Sequence, residues 1–402
     1  MRDDRLRILL LSGWFPFPPN NGSKIRVANM LRQLSQRHSV TLLSFTEAAP
    51  LPQTERFCDK VETVPWREFR PSSWKARFGT LHPTPRSIID THSPEMARRI
   101  VRETEEGGYD VIVASQITMA AYSSFFGTVP AVFDEVELAV LHDRLSAVTS
   151  ASRRLRHRMT WLKHRSYLNR LLRRFQACTV ASENERQLLL QTAPSAPRIE
   201  VIPNAVSCSA YPATPRQPLP RRLIFTGSMT YSANCDAVEW YLHEVHPKVR
   251  AAAPGVELLI TGSLRPAFHT DQPNVQCTGL VPDVVPLLRS AAISIVPLRI
   301  GGGTRLKILE AMAVGTPVVT TSKGCEGLEV EPDRHLIIGD TAESFANAVI
   351  ALLGDERTAA HLSQQARQLV NERYDWDAIG PRFERFIADV ARAGSRPGTG
   401  RV

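Results

Sequence analysis

The sequence predicts an α/β protein of two doubly wound parallel sheets, facing each other across a cleft. Three observations lead there. Short continuous apolar runs alternate with capped, amphipathic segments, the pattern of buried parallel strands joined by helices. The alternation stops in a proline-rich stretch near the middle and then begins again. The 402 residues, 43% apolar and 22% charged, suffice for two full cores and exclude a disordered or fibrous chain.

In the first half, Leu6–Ser12 is a continuous apolar run closed by Gly13 and reads as a buried strand. Ser23 is placed to cap a helix carrying Ile25, Val27, Met30, Leu31 and Leu34. Ser39–Phe45 is a second strand. Ser93, Pro94 and Glu95 supply a cap, a first-turn proline and a first-turn acid for another helix. Strands follow at Asp110–Ser115, Ala131–Phe133, Ala177–Ala181 and Glu200–Pro203, with a capping box at Ser182–Glu185. The proline-rich residues 47–92 give no clear period.

Pro212, Pro215, Pro218 and Pro220 mark a linker over residues 207–220, so the first domain is placed at 1–206. The second, 221–374, has strands at Leu223–Thr226, Val256–Thr261, Ile293–Val296, Pro317–Thr321 and His335–Ile338. Helices fall between them at about 234–252, 283–290, 304–314 and 341–353. A terminal helix over 375–393 is expected to cross back to the first domain, and 394–402 to form a disordered tail.

No apolar run approaches the ~20 residues of a membrane span, and Leu6–Leu11 is too short for a secretory core. The expectation is a cytoplasmic protein. Cys58, Cys178, Cys208, Cys235, Cys277 and Cys325 form no C-x-x-C pair and read as buried reduced thiols. The net charge of +9 is confined to one place. Residues 151–175 hold nine Lys and Arg and no Asp or Glu, and the rest of the chain is neutral. A local anionic surface is the partner this implies.

The sharpest signal for chemistry is Gly301-Gly302-Gly303-Thr304-Arg305-Leu306-Lys307-Ile308-Leu309-Glu310-Ala311-Met312-Ala313-Val314-Gly315. Glycines let a backbone approach a ligand closely. Thr304 is placed to cap a helix and Gly315 to end it. Arg305 and Lys307 then sit in the first turn, where cations oppose the helix dipole unless an anion is bound. Glu310 lies six residues beyond Thr304, about 9 Å along a helix, a reach at which its carboxylate could accept from ribose hydroxyls. The plainer alternative is a tight turn with an i,i+3 ion pair between Lys307 and Glu310.

This segment resembles the donor-binding motif of family-4 retaining glycosyltransferases of the GT-B fold. Phe225–Met229 with Asn234–Ala237, Thr278–Asp283 and Thr321–Leu328 resemble bacterial sugar transferases of exopolysaccharide synthesis. Pro18–Ser23 with Arg26 is similar to the family's first strand–loop–helix. Ile202–Val206 is similar to its inter-domain segment, with Ala205 where glycine is usual. The resemblance implies two Rossmann-like domains, an acceptor side and a nucleotide-sugar donor side. Glu310 becomes the ribose-binding acid. The family's second glutamate, eight residues earlier, is Gly302 here, and its basic pair is replaced by Ser228 to Ala233. Arg305 or Lys307 would supply the missing diphosphate contact, with Gly22 and Ser23 adding a second helix N-terminus. The donor set is therefore Gly22, Ser23, Gly227, Ser228, Gly262, Val281, Gly302, Gly303, Thr304, Arg305, Lys307 and Glu310, with Arg305 and Lys307 also catalytic.

Asp134-Glu135-Val136-Glu137 follows a first-domain strand. Glu135 and Glu137 are the candidates for an acceptor-side base or a transition-state carboxylate; the plainer alternative is a solvated acidic turn. Asp375-Trp376-Asp377 has the letters of a metal-binding D-x-D, but Asp377 reads more simply as the cap of the last helix. No His/Cys cluster has metal spacing, so neither metal nor other cofactor is expected.

The segment 152–175 reads as an amphipathic helix with Leu155, Met159, Leu162, Leu168, Leu171, Leu172 and Phe175 on one broad face and arginines behind. Such a helix can lie on anionic lipid at the inner face of a membrane, or pack in a core with a solvated basic back. No nucleic-acid module surrounds it. The function read from all this is transfer of a sugar from a nucleotide diphosphate sugar to a glycan, lipid-linked or small-molecule acceptor, with retention of configuration. A nucleotide-sugar epimerase on the same fold and a non-catalytic membrane- or nucleic-acid-bound scaffold are the alternatives.

Overall fold

The computed structural model describes residues 5–19, 21–47, 56–79, 82–138, 151–211, 216–264, 270, 272–301 and 305–394. The chain forms two compact units, divided between Pro203 and Asn204 and again between Ala378 and Ile379. The first comprises the residues up to Pro203 together with Ile379 onward, and the second Asn204–Ala378.

The first unit is built on a seven-stranded sheet. Its strands are β1 (Arg7–Ser12), β2 (Ser39–Thr46), β3 (Lys60–Pro65), β4 (Val111–Ser115), β5 (Ala131–Asp134), β6 (Ala177–Val180) and β7 (Arg198–Val201). They lie in the order β3-β2-β1-β4-β5-β6-β7, and every pairing is parallel. The central strands are apolar along their length because helices cover both faces: β1 and β4 are buried throughout apart from Arg7. Leu9, Leu11, Ile112, Phe133 and Phe175 belong to one core. The edge strand β3 carries Lys60, Glu62 and Thr63 and buries only Val64, which is why the apolar pattern of residues 47–92 missed it. The helices Trp74–Phe78 and Arg86–Thr91 of that region are too short to show a period.

The second unit repeats the plan. Strands β8 (Leu219–Thr226), β9 (Glu257–Thr261), β10 (Val275–Gly279), β11 (Ala291–Val296), β12 (Val318–Thr320) and β13 (Ile337–Ile338) lie in the order β10-β9-β8-β11-β12-β13, again all parallel. Renumbered from its first strand, the second sheet reads 3-2-1-4-5-6, the doubly wound order, and the first reads the same with a seventh strand added at the far edge. The strand order reverses beside β1 in one unit and beside β8 in the other, and ligands of such sheets bind past the strand ends there. Residues 207–211, expected in a linker, belong to the second unit, and β8 starts within the expected linker at Leu219. Arg216 holds the approach to β8 by donating to the carbonyls of Gly315 and Ala291.

The expected second-half strands at β8, β9, β11, β12 and β13 are present, and β10 was not anticipated. Nor was the helix Glu356–Arg373, capped by Asp355, whose side chain accepts from the N–H groups of Arg357 and Thr358. Helix Ser232–Trp240 continues through a π-helical turn at Tyr241–Val245 into His246–Ala252. The last helix, Trp376–Gly394, is capped by Asp375 rather than Asp377: the Asp375 Oδ1 accepts from the Asp377 N–H at 3.2 Å and from the Cys208 N–H at 3.2 Å. From Ile379 on it belongs to the first unit, where Glu384 bonds buried His38 at 2.9 Å. All six cysteines are free thiols, but only Cys178, Cys235 and Cys325 are buried; Cys58, Cys208 and Cys277 are half-buried. No helix among the described residues is long and apolar enough to cross a membrane.

Candidate functional site

In the second unit Gly227, Ser228, Gly262 and Lys307 come together where strand order reverses. Gly227 directly follows strand β8, and its φ of +150° suits glycine. Its N–H donates to the Thr261 carbonyl at 2.8 Å. A Cβ on Gly227 would lie 2.7 Å from both Asn234 Nδ2 and Lys307 Nζ, and one on Gly262 would lie 2.3 Å from the Gly227 carbonyl oxygen. The two glycines thus let the ends of β8 and β9 touch and leave room for a lysine above them. The Ser228 carbonyl accepts from Asn234 Nδ2 at 2.8 Å, and Asn234 Oδ1 accepts from Lys307 Nζ at 2.8 Å. Lys307 Nζ also stands 4.2 Å from the centroid of the Phe225 ring, a cation–π contact. Asn234 is therefore part of the site, a role its place in the quoted motif alone did not reveal. Val281 lies two residues past β10, half-buried.

The glycine-rich helix begins at Leu306 and ends at Gly315, which has φ +84° as its position predicted. Arg305 is the N-cap residue rather than a first-turn residue, and its side chain makes no cap hydrogen bond. Its buried guanidinium instead donates from Nη2 to the Gly301 carbonyl at 2.6 Å and the Lys323 carbonyl at 3.3 Å. It ties the strand-to-helix connection to the loop after β12. Gly302, Gly303 and Thr304 lie outside the described residues.

Lys307 and Glu310 do not form the i,i+3 ion pair: no bridge within 4.0 Å joins them among the described residues. Burial, followed by the neighbouring Arg305 charge, lowers Lys307 to about 7, with Glu310 opposing. Burial raises Glu310 to about 7 against the pull of Lys307. Burial and then the Glu310 charge push the Tyr211 phenol up, so that hydroxyl is neutral beside the carboxylate. A half-buried ammonium next to a guanidinium, satisfied by an amide oxygen and an aromatic face, is a place where positive charge is disfavoured until an anion arrives. Shifts of opposite sign on one helix turn, at a strand-order reversal, make this a candidate binding site.

The first unit has a second polar cluster, also at its reversal. Asn21, not Ser23, caps the helix Gly22–Leu34, its side chain accepting from the Lys24 N–H at 3.0 Å. That leaves Ser23 Oγ to accept from Gln116 Nε2 at 2.6 Å, and Gln116 Nε2 also reaches Glu135 Oε2 at 3.3 Å. Gln116 and Glu135 are the first residues beyond β4 and β5, and both are left-handed, at φ +66° and +61°. Such backbone costs about 1–3 kcal/mol each where no glycine relieves it and persists where surroundings enforce it, often at functional sites. The enforcement is visible. The Glu135 N–H donates to Thr179 Oγ1 at 2.9 Å, and Thr179 Oγ1 donates to Asp134 Oδ1 at 2.7 Å.

Asp134 itself is fully buried and paired with fully buried Arg26, Nη2 to Oδ1 at 2.6 Å, while Arg26 Nη1 donates to the Ile202 carbonyl at 2.9 Å. Burial is the largest single influence on Arg26 and would lower it, but the Asp134 charge, its hydrogen bonds and the Glu135 charge together raise the guanidinium above its ordinary value. This pair pins the helix Gly22–Leu34 against β5 and the segment after β7. Of the acidic turn, then, Asp134 is structural, Glu135 faces the Ser23–Gln116 cluster, and Glu137 is an exposed side chain two residues further on. Gln116 escaped the sequence reading because a glutamine after an apolar strand carries no signal of its own.

Comparison with known proteins agrees with this geometry. Residues 20–210 match the family model described as Glycosyltransferase Family 4, and residues 220–355 match the one described as Glycosyl transferases group 1. The GDP-mannose-dependent monoacylated alpha-(1-6)-phosphatidylinositol monomannoside mannosyltransferase of Corynebacterium glutamicum is 28% identical over 221 residues, 49% of this chain and 58% of that protein. The chain spans about half the length of the curated relatives it matches. Among solved structures, sucrose-phosphate synthase from Thermosynechococcus elongatus has TM-score 0.70 at 16% identity, covering 97% of this chain and 100% of that one. Anabaena HepE, solved with UDP and glucose, has TM-score 0.64 at 16% identity, covering 96% and 100%. With a family model on each unit and two Rossmann-like sheets of the same strand order, the chain belongs to the family-4 glycosyltransferases of the GT-B fold.

Proposed function

We propose that the protein transfers a sugar from a nucleotide diphosphate sugar to a hydroxyl of a glycan, lipid-linked or small-molecule acceptor, with retention of anomeric configuration. The observation that carries the donor reading is Lys307. Its ammonium is held over Gly227 by Asn234 and Phe225, beside Arg305 and without a carboxylate bridge among the described residues. A diphosphate there would restore the charge balance. The N-terminus of the helix Leu306–Val314 would add its dipole, and Glu310 would accept from the ribose hydroxyls.

In this reading the bond from the anomeric carbon to the diphosphate oxygen breaks, and its electron pair leaves on the diphosphate. Lys307 and the helix N-terminus stabilise that charge where it develops; Arg305 holds the loop that positions them. The acceptor oxygen bonds to the anomeric carbon on the same face, and its proton passes to the departing phosphate oxygen. Glu135, oriented by Gln116, serves the acceptor side. Neither metal nor cofactor is called for, since protein cations and dipoles handle the leaving group. The names of two relatives, one a phosphatidylinositol monomannoside mannosyltransferase and the other a phosphatidyl-myo-inositol mannosyltransferase, support a lipid-linked acceptor.

A donor panel tests this reading. Nucleotide diphosphate sugars of several bases and hexoses, screened by thermal shift in a chelator, should yield at least one that raises Tm. Ligand at a hundred times its Kd adds ~2.7 kcal/mol of stability. The shift should fall by about half or more in Lys307→Ala. A panel that shifts nothing, or shifts parent and variant alike, overturns the reading.

A further inference from the structure

The helix Ala151–Leu172 does not carry its apolar side chains on one face. Leu168, Leu171 and Leu172 are buried at 3, 5 and 1% exposure, whereas Leu155, Met159 and Leu162 are 61, 64 and 51% exposed. Spaced i, i+4 and i+7, these three form one stripe, on the opposite side of the helix from the core contacts. By helix geometry Arg158 and Arg165 flank the stripe on one side and Arg156 and Arg170 on the other. Further along the same face, Leu162, Arg165, Asn169, Arg170 and Arg173 line an open hollow of about 430 Å³. The helix is fixed to its neighbours: Lys163 donates to the Gly79 carbonyl, and Arg170 donates to the Pro83 carbonyl at 3.2 Å. The helix ending beside Gly79 starts at Trp74, which is 68% exposed.

We infer that this face docks on an anionic lipid bilayer, with Leu155, Met159 and Leu162 entering the interfacial layer and the flanking arginines on lipid phosphates. Three facts select this occupant. The whole net charge of the chain resides in residues 151–175, so the complementary surface is anionic. A second copy paired through the same stripe would bring two rows of arginine together, which like charges oppose. An apolar line bordered by arginine is the arrangement an interfacial helix needs, and an exposed tryptophan on the adjoining element suits the headgroup level. The inference stands apart from the transferase reading, since binding to lipid needs no donor.

Cosedimentation with vesicles of phosphatidylcholine alone or with a third phosphatidylserine tests it, on three proteins without nucleotide. The parent should bind the anionic vesicles at least tenfold more tightly than the neutral ones and lose that preference at 1 M salt, where the Debye length is ~3 Å. Leu155→Gln/Met159→Gln/Leu162→Gln, which removes only the stripe, should weaken binding at least tenfold while preserving its salt dependence. Arg156→Gln/Arg158→Gln/Arg173→Gln should weaken it tenfold or more and flatten the salt dependence. All substituted side chains are exposed, so melting temperatures should match the parent's and donor affinity should be unchanged. Absence of binding by the parent, or binding that neither variant reduces, overturns the inference. So does a parent dimer that the stripe variant converts to monomer, or parent binding to single-stranded RNA but not to vesicles.

Discussion

Gly227 and Lys307 are fitted to each other: a side-chain carbon on the glycine would lie 2.7 Å from the lysine ammonium nitrogen. The relationship turns a loop glycine at the end of β8 and a helix lysine, eighty positions apart, into one cradle. Gly227→Ala should therefore behave like a mild Lys307 variant, displacing the ammonium and straining a backbone at φ +150°. Lys307→Ala should weaken a nucleotide diphosphate tenfold or more, a charge-assisted hydrogen bond being worth ~1.5–3 kcal/mol, while barely changing nucleoside affinity. Arg305→Ala should lower Tm as well, because its guanidinium bridges two carbonyls. Titration calorimetry with nucleoside and nucleotide diphosphate, beside a melt of each variant, checks all three. Unchanged diphosphate affinity in Lys307→Ala removes the lysine from the site.

Donor affinity should depend on pH with a definite sign. In the free protein Lys307 is depressed to about 7, and a bound diphosphate raises it. Affinity is then full below pH 7 and declines as pH rises above it, by up to tenfold per unit, until the pKa of the complex is passed. A nucleotide diphosphate sugar is the right probe, since its diphosphate diester does not titrate in this range. Glu310 ionises through the same range and would repel the donor's phosphates, so Glu310→Gln isolates the lysine contribution. In the Glu310→Gln background, Lys307→Arg, always charged, should give a flat profile; a profile there like that of Glu310→Gln alone would dismiss the explanation.

Glu310→Gln should keep the fold and weaken ribonucleotides more than 2′-deoxyribonucleotides. The carboxylate sits one helical turn past Lys307 and beside the neutral Tyr211 phenol, placed for a hydroxyl rather than for a cation. Competition binding with ribo and deoxyribo forms of one diphosphate measures the difference. Equal losses would assign Glu310 a structural role.

Gln116 should act on transfer and not on donor binding. Its amide joins Ser23 to Glu135, so Gln116→Gly, which also relieves the left-handed backbone, should preserve stability and donor Kd. It should lower kcat with acceptor tenfold or more. Steady-state kinetics with saturating donor decide; a change confined to donor Kd would move Gln116 to the donor side.

His246 should make the second unit acid-sensitive. It is fully buried beside Tyr241 and lowered to about 4, first by burial and then by Arg250. Its native pKa lies below the ordinary 6.5, so stability is complete above pH 6.5 and is lost as pH falls toward 4. The loss should approach about 3 kcal/mol, at 1.36 kcal/mol per pKa unit. His246→Leu should flatten stability between pH 4 and 6.5 in denaturant melts; a parent-like slope in that variant would clear His246.

What was legible in the sequence divides on physical lines. Buried parallel strands announce themselves as apolar runs, so β1, β2, β4 and β8 were found, while the polar edge strand β3 was hidden by Lys60 and Glu62. Gly315 could be placed because only a left-handed residue ends that helix so abruptly. The caps at Asn21 and Asp375 were missed because serine and aspartate neighbours were equally good candidates. Lys307 and Glu310 stand out as candidates in the sequence through the resemblance and their spacing. Asn234, Gln116 and the partition of the basic helix into buried and exposed leucines depend on three-dimensional neighbours, to which one-dimensional spacing is blind.

The central claim is sugar transfer with retention, and the anomeric configuration of the product tests it most directly. With the donor identified by the panel and an alcohol or lipid-linked acceptor, proton NMR of the product formed in chelator should show the donor's anomer, with one nucleotide diphosphate released per glycoside. The inverted anomer, an epimerised nucleotide sugar formed without acceptor, or turnover only after Mg²⁺ or Mn²⁺ is added would contradict the account.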